Sequence, residues 1–342
     1  MLGERRRREA EDFRQRRSRL DLCWASVSST PEISICIVNT DGREDLLRCL
    51  ASVFANPPGV PFEVLVLDNA SADGSAAAVR ERFGDSVELL ALDRRRGKAE
   101  NDSELMSRSR GRWLLLLNED SELTPGAANT LRARLSAAPR AGVAGARIVD
   151  PEGVQQPSAW RFPGVLSALA GVLALHRRLT VQSTGEEVRE VGWVQSAAMM
   201  VRREAYEQVG PMDPDFFVYS DEVDWQKRAR DAGWSALYVP AATVVHREQL
   251  SHGAGARRRI VEFSRNRDRY MRKHHGPAAA AIVRMLTAIT YAVRALAALI
   301  VPGHSPRRYW WHAYHSLLPS RGEGLREAAE EYNRGTDRGG RP

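Results

Sequence analysis

Only three cysteines occur in the 342 residues: Cys23, Cys36 and Cys49. Their spacing fits no metal-ligand pattern and their odd number leaves a thiol over. A disulfide framework is therefore excluded and a reducing cytoplasm is expected. Long apolar runs are also missing. Residues 277–302 are rich in Ala, Ile, Leu and Val, but Arg284 and Arg294 break them up before an uncharged run of roughly 18 residues, the length of a spanning helix, is reached. This excludes a chain that threads a membrane repeatedly. No apolar core follows the arginines of the first 20 residues, so a secretory signal is not expected. The chain has no internal repeat. Hydrophobic residues at 43% and charged residues at 27% exclude wholesale disorder.

The formal net charge of +7 is unevenly spread. Residues 1–20 carry +4, residues 251–275 carry +6 and residues 276–342 carry +4, which leaves −7 on residues 21–250. A nucleic-acid enzyme places its positive charge on the main body, so the acidic centre argues against a nucleic-acid partner. Basic ends next to apolar helices fit an anionic membrane surface.

Four domains are expected: a charged arm at 1–30, a main domain at 31–275, an apolar and basic helical extension at 276–320, and a polar tail without structure at 321–342. Within the main domain, Ile33–Val38, Phe62–Leu67, Val87–Leu92 and Trp113–Leu117 read as strands. Helical spacing covers Asp45–Phe54, Ser75–Phe83, Ser103–Ser109 and Thr124–Ala138, the last started by Thr124-Pro125. Leu166–Leu175 is a further helical stretch. Trp193–Val201 and Trp234–Val239 read as strands, Arg203–Val209 and Glu222–Ala232 as helices. Alternating strands and helices predict an α/β fold with a mostly parallel sheet flanked by helices. Ligands on such sheets bind beyond the carboxyl ends of the strands. Asn39, Asp68 and Asn118-Glu119-Asp120 fall at those ends.

Carboxylates closing a buried strand can hold Mg²⁺ or Mn²⁺, which take oxygen ligands and bridge to phosphates. A plain Asx turn would also account for Asn118-Glu119-Asp120. In Asp68-Asn69-Ala70-Ser71-Ala72-Asp73-Gly74-Ser75, Asp73 or Ser75 can cap a helix, whereas Asp68 is left to accept hydrogen bonds from a base or ribose. Asp221-Glu222-Val223-Asp224-Trp225 follows the aromatic run Phe216–Tyr219. Helix capping explains one of these acids, and a carboxylate desolvated by aromatic walls suits a general base. His246 ends an apolar run, where a histidine serves packing or ligation. The two arginines of 277–302 lie within about 80° of each other around a helix. That fits a helix lying in a membrane interface or one capping the domain.

In order and spacing these motifs, over residues 31–275, resemble the family 2 glycosyltransferases of the GT-A fold (Rossmann-like nucleotide-diphospho-sugar transferases), particularly the bacterial rhamnosyltransferase-like branch. The opening strand with Asn39-Thr40-Asp41-Gly42, the stretch Leu67–Ser75, the metal motif at Asn118-Glu119-Asp120, Pro211–Phe217, the acidic pair Asp221-Glu222 and the late His246 carry the resemblance. One segment departs from it. Where relatives carry an Asn-x-Gly-Phe…Asn-Asn-x-Gly loop, this chain has Arg94-Arg95-Arg96-Gly97-Lys98-Ala99-Glu100-Asn101-Asp102. A different donor, a basic contact to the diphosphate and a loss of activity are the alternatives.

The resemblance implies an inverting glycosyltransferase that moves a sugar, such as rhamnose, from a nucleoside diphosphate sugar to a hydroxyl of a cell-surface glycan or lipid-linked precursor. It assigns Glu222 as base with Asp221 as its rival. Asp120 and His246 become ligands of a divalent metal, Mn²⁺ or Mg²⁺. Asn39, Thr40, Asp68, Asn69, Gly97, Asn118 and Glu119 form the nucleotide-sugar site, and Trp193, Asp224 and Trp225 the acceptor side. The extension then implies peripheral attachment to the cytoplasmic face of the cell membrane, without a span. The alternative is a catalytically degenerate relative that serves as a nucleotide-binding or scaffold subunit.

Overall fold

The computed structural model describes residues 30–247 and 254–337; residues 1–29, nearly all of the expected charged arm, lie outside them. Twelve strands are described: β1 (Ile33–Asn39), β2 (Phe62–Asp68), β3 (Glu88–Ala91), β4 (Trp113–Asn118), β5 (Ser121–Leu123), β6 (Ala141–Val149), β7 (Gln155–Gln156), β8 (Ala159–Trp160), β9 (Arg189–Val191), β10 (Trp193–Val194), β11 (Ala198–Arg202) and β12 (Ser235–His246). The helices are α1 (Arg43–Ala55), α2 (Ser75–Phe83), α3 (Lys98–Arg108), α4 (Ala127–Ala137), α5 (Val165–Val172), α6 (His176–Leu179), α7 (Arg203–Val209), α8 (Asp221–Asp231), α9 (Ala254–Ala297), α10 (Pro306–Leu317) and α11 (Leu325–Asp337).

The main sheet runs β3-β2-β1-β4-β11-β6-β12-β5. Its first four strands are parallel, as their continuous apolar sequences predict for strands covered on both faces. The other half is mixed, because β11 enters antiparallel between β4 and β6. One face is covered by α1, α2 and α4 around Leu46, Val79 and Leu131, the other by α3, α7 and α8 around Leu105, Ala205 and Trp225.

The chain leaves β1 for β2 on one side and reaches β4 on the other, so the connections diverge there and open a crevice at the carboxyl ends. Register aligns those ends: Asn39 lies opposite Asp68, and Val38 opposite Asn118. β12 pairs with β5 so that His246 faces Ser121, next to Asp120. Pro240 is tolerated in β12 because the register slips between Val239 and Thr243.

Several boundaries differ from the sequence reading. β6, at the centre of the mixed half, was not anticipated, because Ala-Gly-Val-Ala-Gly lacks the β-branched texture of a strand. Small residues are required there: a Cβ on Gly145 would stand 2.4 Å from Val194 Cβ. α3 begins at Lys98, five residues before the expected start, with Ala99, Asn101 and Asp102 already on its buried face. α4 starts after Gly126 in the left-handed region, not at Thr124-Pro125; the Thr124 hydroxyl donates instead to the Thr243 carbonyl at 2.7 Å.

The C-terminal part departs most. α9 breaks at Gly276 (φ 82°), just before Pro277. An 18-residue window of it reaches a mean hydropathy of 1.4 despite its arginines, so by length and composition it is apolar enough to cross a membrane. Residues 325–337, expected within a tail without structure, form α11 instead. Asn333 of α11 accepts from the Arg95 N–H at 2.7 Å and donates to the Arg95 carbonyl at 3.0 Å.

Candidate active site

Three groups of side chains meet at the carboxyl ends of β1, β2 and β4. The first surrounds Asp68. Asn39, fully buried, donates through Nδ2 to Asp68 Oδ1 at 2.9 Å and to Ser71 Oγ at 3.1 Å. Asp68 Oδ2 accepts the Ser71 N–H at 3.2 Å. Asn69 bridges the neighbouring loops: its amide donates to Thr40 Oγ1 at 3.2 Å and the Arg96 carbonyl at 3.1 Å, and its oxygen accepts the Arg96 N–H at 2.8 Å. Ala70 and Asp41 hold positive φ values of 54°, conformations that non-glycine residues adopt only when their surroundings fix them.

The second group is Asp120 and His246. His246 Nε2 lies 3.1 Å from Asp120 Oδ1, and the imidazole is only 4% exposed. The Arg247 N–H donates to the Asp120 carbonyl at 3.0 Å, which fixes the turn between β4 and β5 against the end of β12. Burial, then the Asp120 charge, push the neighbouring Glu119 up to about 7. Gly42 lies between the first two groups: a Cβ there would be 2.9 Å from Asn39 Oδ1 and 3.2 Å from Glu119 Cγ.

The third group is Asp221 and Glu222 at the start of α8, facing Lys98 and Asp102 of α3. Tyr219 and Ser220 both adopt the left-handed region (φ 67° and 63°), which turns the chain so that both acids enter the first turn of α8. Asp221 is 1% exposed, and its carboxyl has only Glu222 beside it and its own backbone N–H, with no donor from another element among the described residues. Burial first, and the Glu222 charge second, push Asp221 well above the usual carboxylate range, while Lys98 pulls the other way. Lys98 Nζ is 2.5 Å from Asp102 Oδ2. Burial opposes the Lys98 charge, but Asp102, Asp221 and Glu222 outweigh it, so its pKa rises above the ordinary lysine value. The Lys98 charge also reaches Glu119 and so links the second group to the third. Gly97 admits no side chain, since a Cβ would meet the Phe217 carbonyl oxygen at 2.8 Å.

The divergent loop is tied down within the chain. Arg95 pairs with Asp41 and stacks over Tyr332 of α11, with 3.7 Å from its guanidinium carbon to the ring centroid. Arg96 pairs with Glu100 at 3.1 Å and Lys98 with Asp102. Each of these cations thus has an internal carboxylate partner. The Arg95 clamp had no signal in the sequence, because its α11 partners, Tyr332 and Asn333, lie more than 230 residues away. Asn101, equally unassigned, is fully buried with neither side-chain polar atom partnered among the described residues.

On the acceptor side the placements differ from expectation. Trp225 is fully buried in the core, with its indole N–H on the Gly210 carbonyl at 2.8 Å, and shows no face to a ligand. Asp224 is also fully buried, and three side chains hold it: the Lys273 ammonium at 2.8 Å, the His274 imidazole at 2.7 Å and the Arg228 guanidinium at 3.0 Å. Both residues therefore anchor α8 and do not line an acceptor surface. Trp193 is partly exposed and stacks on Trp160 with centroids 4.5 Å apart.

A metal is tested by the donors present. Among the described residues no group of three or more His, Cys, Asp or Glu side chains converges on one point. Asp120 and His246 supply one oxygen and one nitrogen, which fits Mn²⁺ or Mg²⁺ completed by phosphate oxygens and water.

A sequence model described as glycosyl transferase family 2 matches residues 33–210. The chain is 32% identical over 212 residues to the N-acetylglucosaminyl-diphospho-decaprenol L-rhamnosyltransferase of Mycobacterium tuberculosis, covering 56% of this chain and 69% of the relative. It is 28% identical over 240 residues to the O-antigen biosynthesis protein RfbC of Myxococcus xanthus, covering 67% of this chain and 18% of that protein. In architecture it is similar to the mannosyltransferase PcManGT of Pyrobaculum calidifontis, solved with GDP-Man and Mn²⁺. The TM-score is 0.54 at 15% identity, over 86% of this chain and 87% of that one.

Proposed function

The chain belongs to glycosyl transferase family 2 and is a glycosyltransferase of the GT-A fold, and from that premise we propose that it transfers rhamnose, with inversion, from a nucleoside diphosphate sugar to a hydroxyl of a lipid-linked glycan precursor. The donor and acceptor classes rest on the M. tuberculosis relative, whose name specifies an L-rhamnosyl transfer onto a sugar-diphospho-decaprenol. The observation that carries the mechanism is the unequal acidic pair. Asp221 is buried, and burial holds it toward its neutral form, while Glu222 beside it is the more exposed of the two and the one an acceptor can reach.

Glu222 takes the proton from the acceptor hydroxyl as its oxygen bonds to the anomeric carbon. The bond from that carbon to the diphosphate oxygen breaks in the same displacement. Inversion needs base and leaving group on opposite faces of the sugar, and the chain places Glu222 on α8 and Asp120 after β4. Asp68, Asn39, Thr40 and Asn69 orient the nucleoside; Gly97, Asn118 and Glu119 shape the loops around the sugar diphosphate. Asp120 and His246 would hold a divalent metal. Such an ion supplies charge that offsets the charge growing on the leaving diphosphate. Trp193, stacked on Trp160, offers an aromatic face to the acceptor sugar. The work is done at the inner face of the cell membrane, where a lipid-linked acceptor is reached.

Release of nucleoside diphosphate from dTDP-rhamnose and from UDP-sugars, with and without Mn²⁺ or Mg²⁺, tests this. Metal-dependent release is expected with dTDP-rhamnose and is lost in Asp120→Ala. Glu222→Gln is expected to lower kcat by about 10²–10⁴ with nucleotide affinity kept. Equal turnover by Glu222→Gln would remove Glu222 from the mechanism.

A further inference from the structure

Two stretches of the chain contain no acidic residue at all: the 33 residues 153–185 and the 54 residues 269–322. The only other acid-free run of comparable length, the 27 residues 123–149, is taken up by α4 and β6, which pack into the main sheet, whereas these two lie almost entirely outside it. The fold brings the two stretches together. α5, from the first, lies against α9, from the second, where Gly171 faces Thr290 at ordinary contact distance.

The surface they build is apolar. Of the residues of α5 only Ala170 is buried; Leu166 is 81% exposed, and Leu169 and Leu173 are exposed as well. In the second half of α9, Ala280, Val283, Ala288 and Ala295 face the protein. Met285, Ile289 and Val293 form an uncovered stripe, continued by Ile300, 86% exposed, beyond the helix end. Trp310 and Tyr314 of α10 are exposed nearby in sequence. The charges in these stretches are all positive, and Arg177, Arg178, Arg294, Arg307 and Arg308 are exposed.

We propose that α5, with the segment through Arg178, and the second half of α9 form one lipid-docking face. It seats in the interface of an anionic bilayer, with the α5 leucines dipping into the acyl boundary and the arginines at headgroup level. A second copy of this chain is the wrong occupant, because two acid-free, arginine-rimmed faces would oppose like charges with no carboxylate to offset them. An anionic surface supplies the missing charge, and the leucines supply apolar burial. The helix lies along the surface because α5 and α10 cover one side of it. The face serves the lipid-linked acceptor reading, and rests on that reading only for its purpose.

The test uses the full chain without donor or acceptor, floated through a density gradient with phosphatidylcholine vesicles, plain or containing phosphatidylglycerol. Flotation is expected with the anionic vesicles only, weakening as salt is raised. Leu166→Asp/Leu169→Asp is expected to lower the bound fraction about tenfold or more. Arg177→Glu/Arg178→Glu, on exposed positions that leave the fold intact, is expected to do the same on anionic vesicles alone, while donor hydrolysis matches the wild type. The proposal is overturned if both variants float like the wild type. It is equally overturned if the wild type stays unbound and sediments as a dimer that the leucine variant dissolves. Failure to float with donor hydrolysis intact sinks this face and spares the transferase reading; flotation without any turnover does the reverse.

Discussion

Asp68 and Asp221 stand at element boundaries in the same cleft, are equally buried, and are treated in opposite ways. Asp68 closes β2 with both oxygens engaged, one by Asn39 and one by the Ser71 N–H. Asp221 opens α8 with no donor from another element on either oxygen among the described residues, only Glu222 and its own backbone N–H. A buried carboxylate with its bonds made holds a loop in one shape; one without them destabilises the fold and is kept for what it does to its neighbour. Asp224, one turn after Asp221 on the same helix, sharpens the contrast, because Arg228 of α8 and Lys273 and His274 of α9 surround it. The donor side of the site is a finished hydrogen-bond network, and the base side is left with capacity to spare.

Removing the satisfied acid of α8 gives the largest expected effect. Asp224→Ala leaves Lys273, His274 and Arg228 facing a buried gap, and breaking a buried ion cluster by deleting one partner costs about 3–5 kcal/mol. The urea midpoint is expected to fall accordingly. A loss under about 1 kcal/mol would show that solvent already reaches the cluster and that Asp224 belongs with Asp221.

Asp221→Asn is the opposite case and should stabilise. The folded-state pKa of Asp221 is raised, so the native protein binds more protons than the unfolded chain between the two pKa values. Its contribution to stability is then lost as pH rises from the unfolded value of about 3.9 toward the raised one. The variant is expected to match the wild type near pH 4 and to exceed it by about 1–3 kcal/mol at neutral pH, read as a widening gap between melting temperatures. Parallel pH profiles for the two proteins would contradict the assignment of Asp221 as the strained acid. The same substitution is expected to slow transfer, because Glu222 loses the neighbour that sets its environment.

Which parts were legible in the sequence follows from the same contrast. Apolar strands ending in Asn39, Asp68 and Asn118 could be read directly, because both faces of a parallel strand are buried and its polar terminus marks the crevice. Asp120 and His246 were legible as types, although only the β12–β5 register shows that they touch. Trp225 was misplaced because an aromatic residue after an acidic pair looks the same in sequence whether it lines a cleft or fills a core. β6 escaped because its strand is selected by lack of space, at Gly142 and Gly145, and not by propensity. α11 escaped because its polar sequence carries no apolar run. Its docking depends on Asn333 and Tyr332 meeting Arg95, a long-range match that no local pattern encodes.

That match yields the smallest effect and separates the two regions most cleanly. Asn333 satisfies the N–H and the carbonyl of Arg95, and Asn69 holds the next residue, Arg96, in the same way. The loop that would cover the donor is thus clamped from two sides, one of them α11. Asn333→Ala leaves Arg95 stacked on Tyr332 and paired with Asp41, but frees its backbone, at a cost of about 1 kcal/mol. If the clamp pre-forms the donor site, that cost appears as weaker donor binding, with KM raised about fivefold and kcat unchanged, since nothing at Glu222 is altered. Glu222→Gln should show the converse split, with kcat lost and KM kept. A lower melting temperature with unchanged KM would reduce α11 to a structural prop, and the loop that departs from the family pattern would then need another explanation for its arginines.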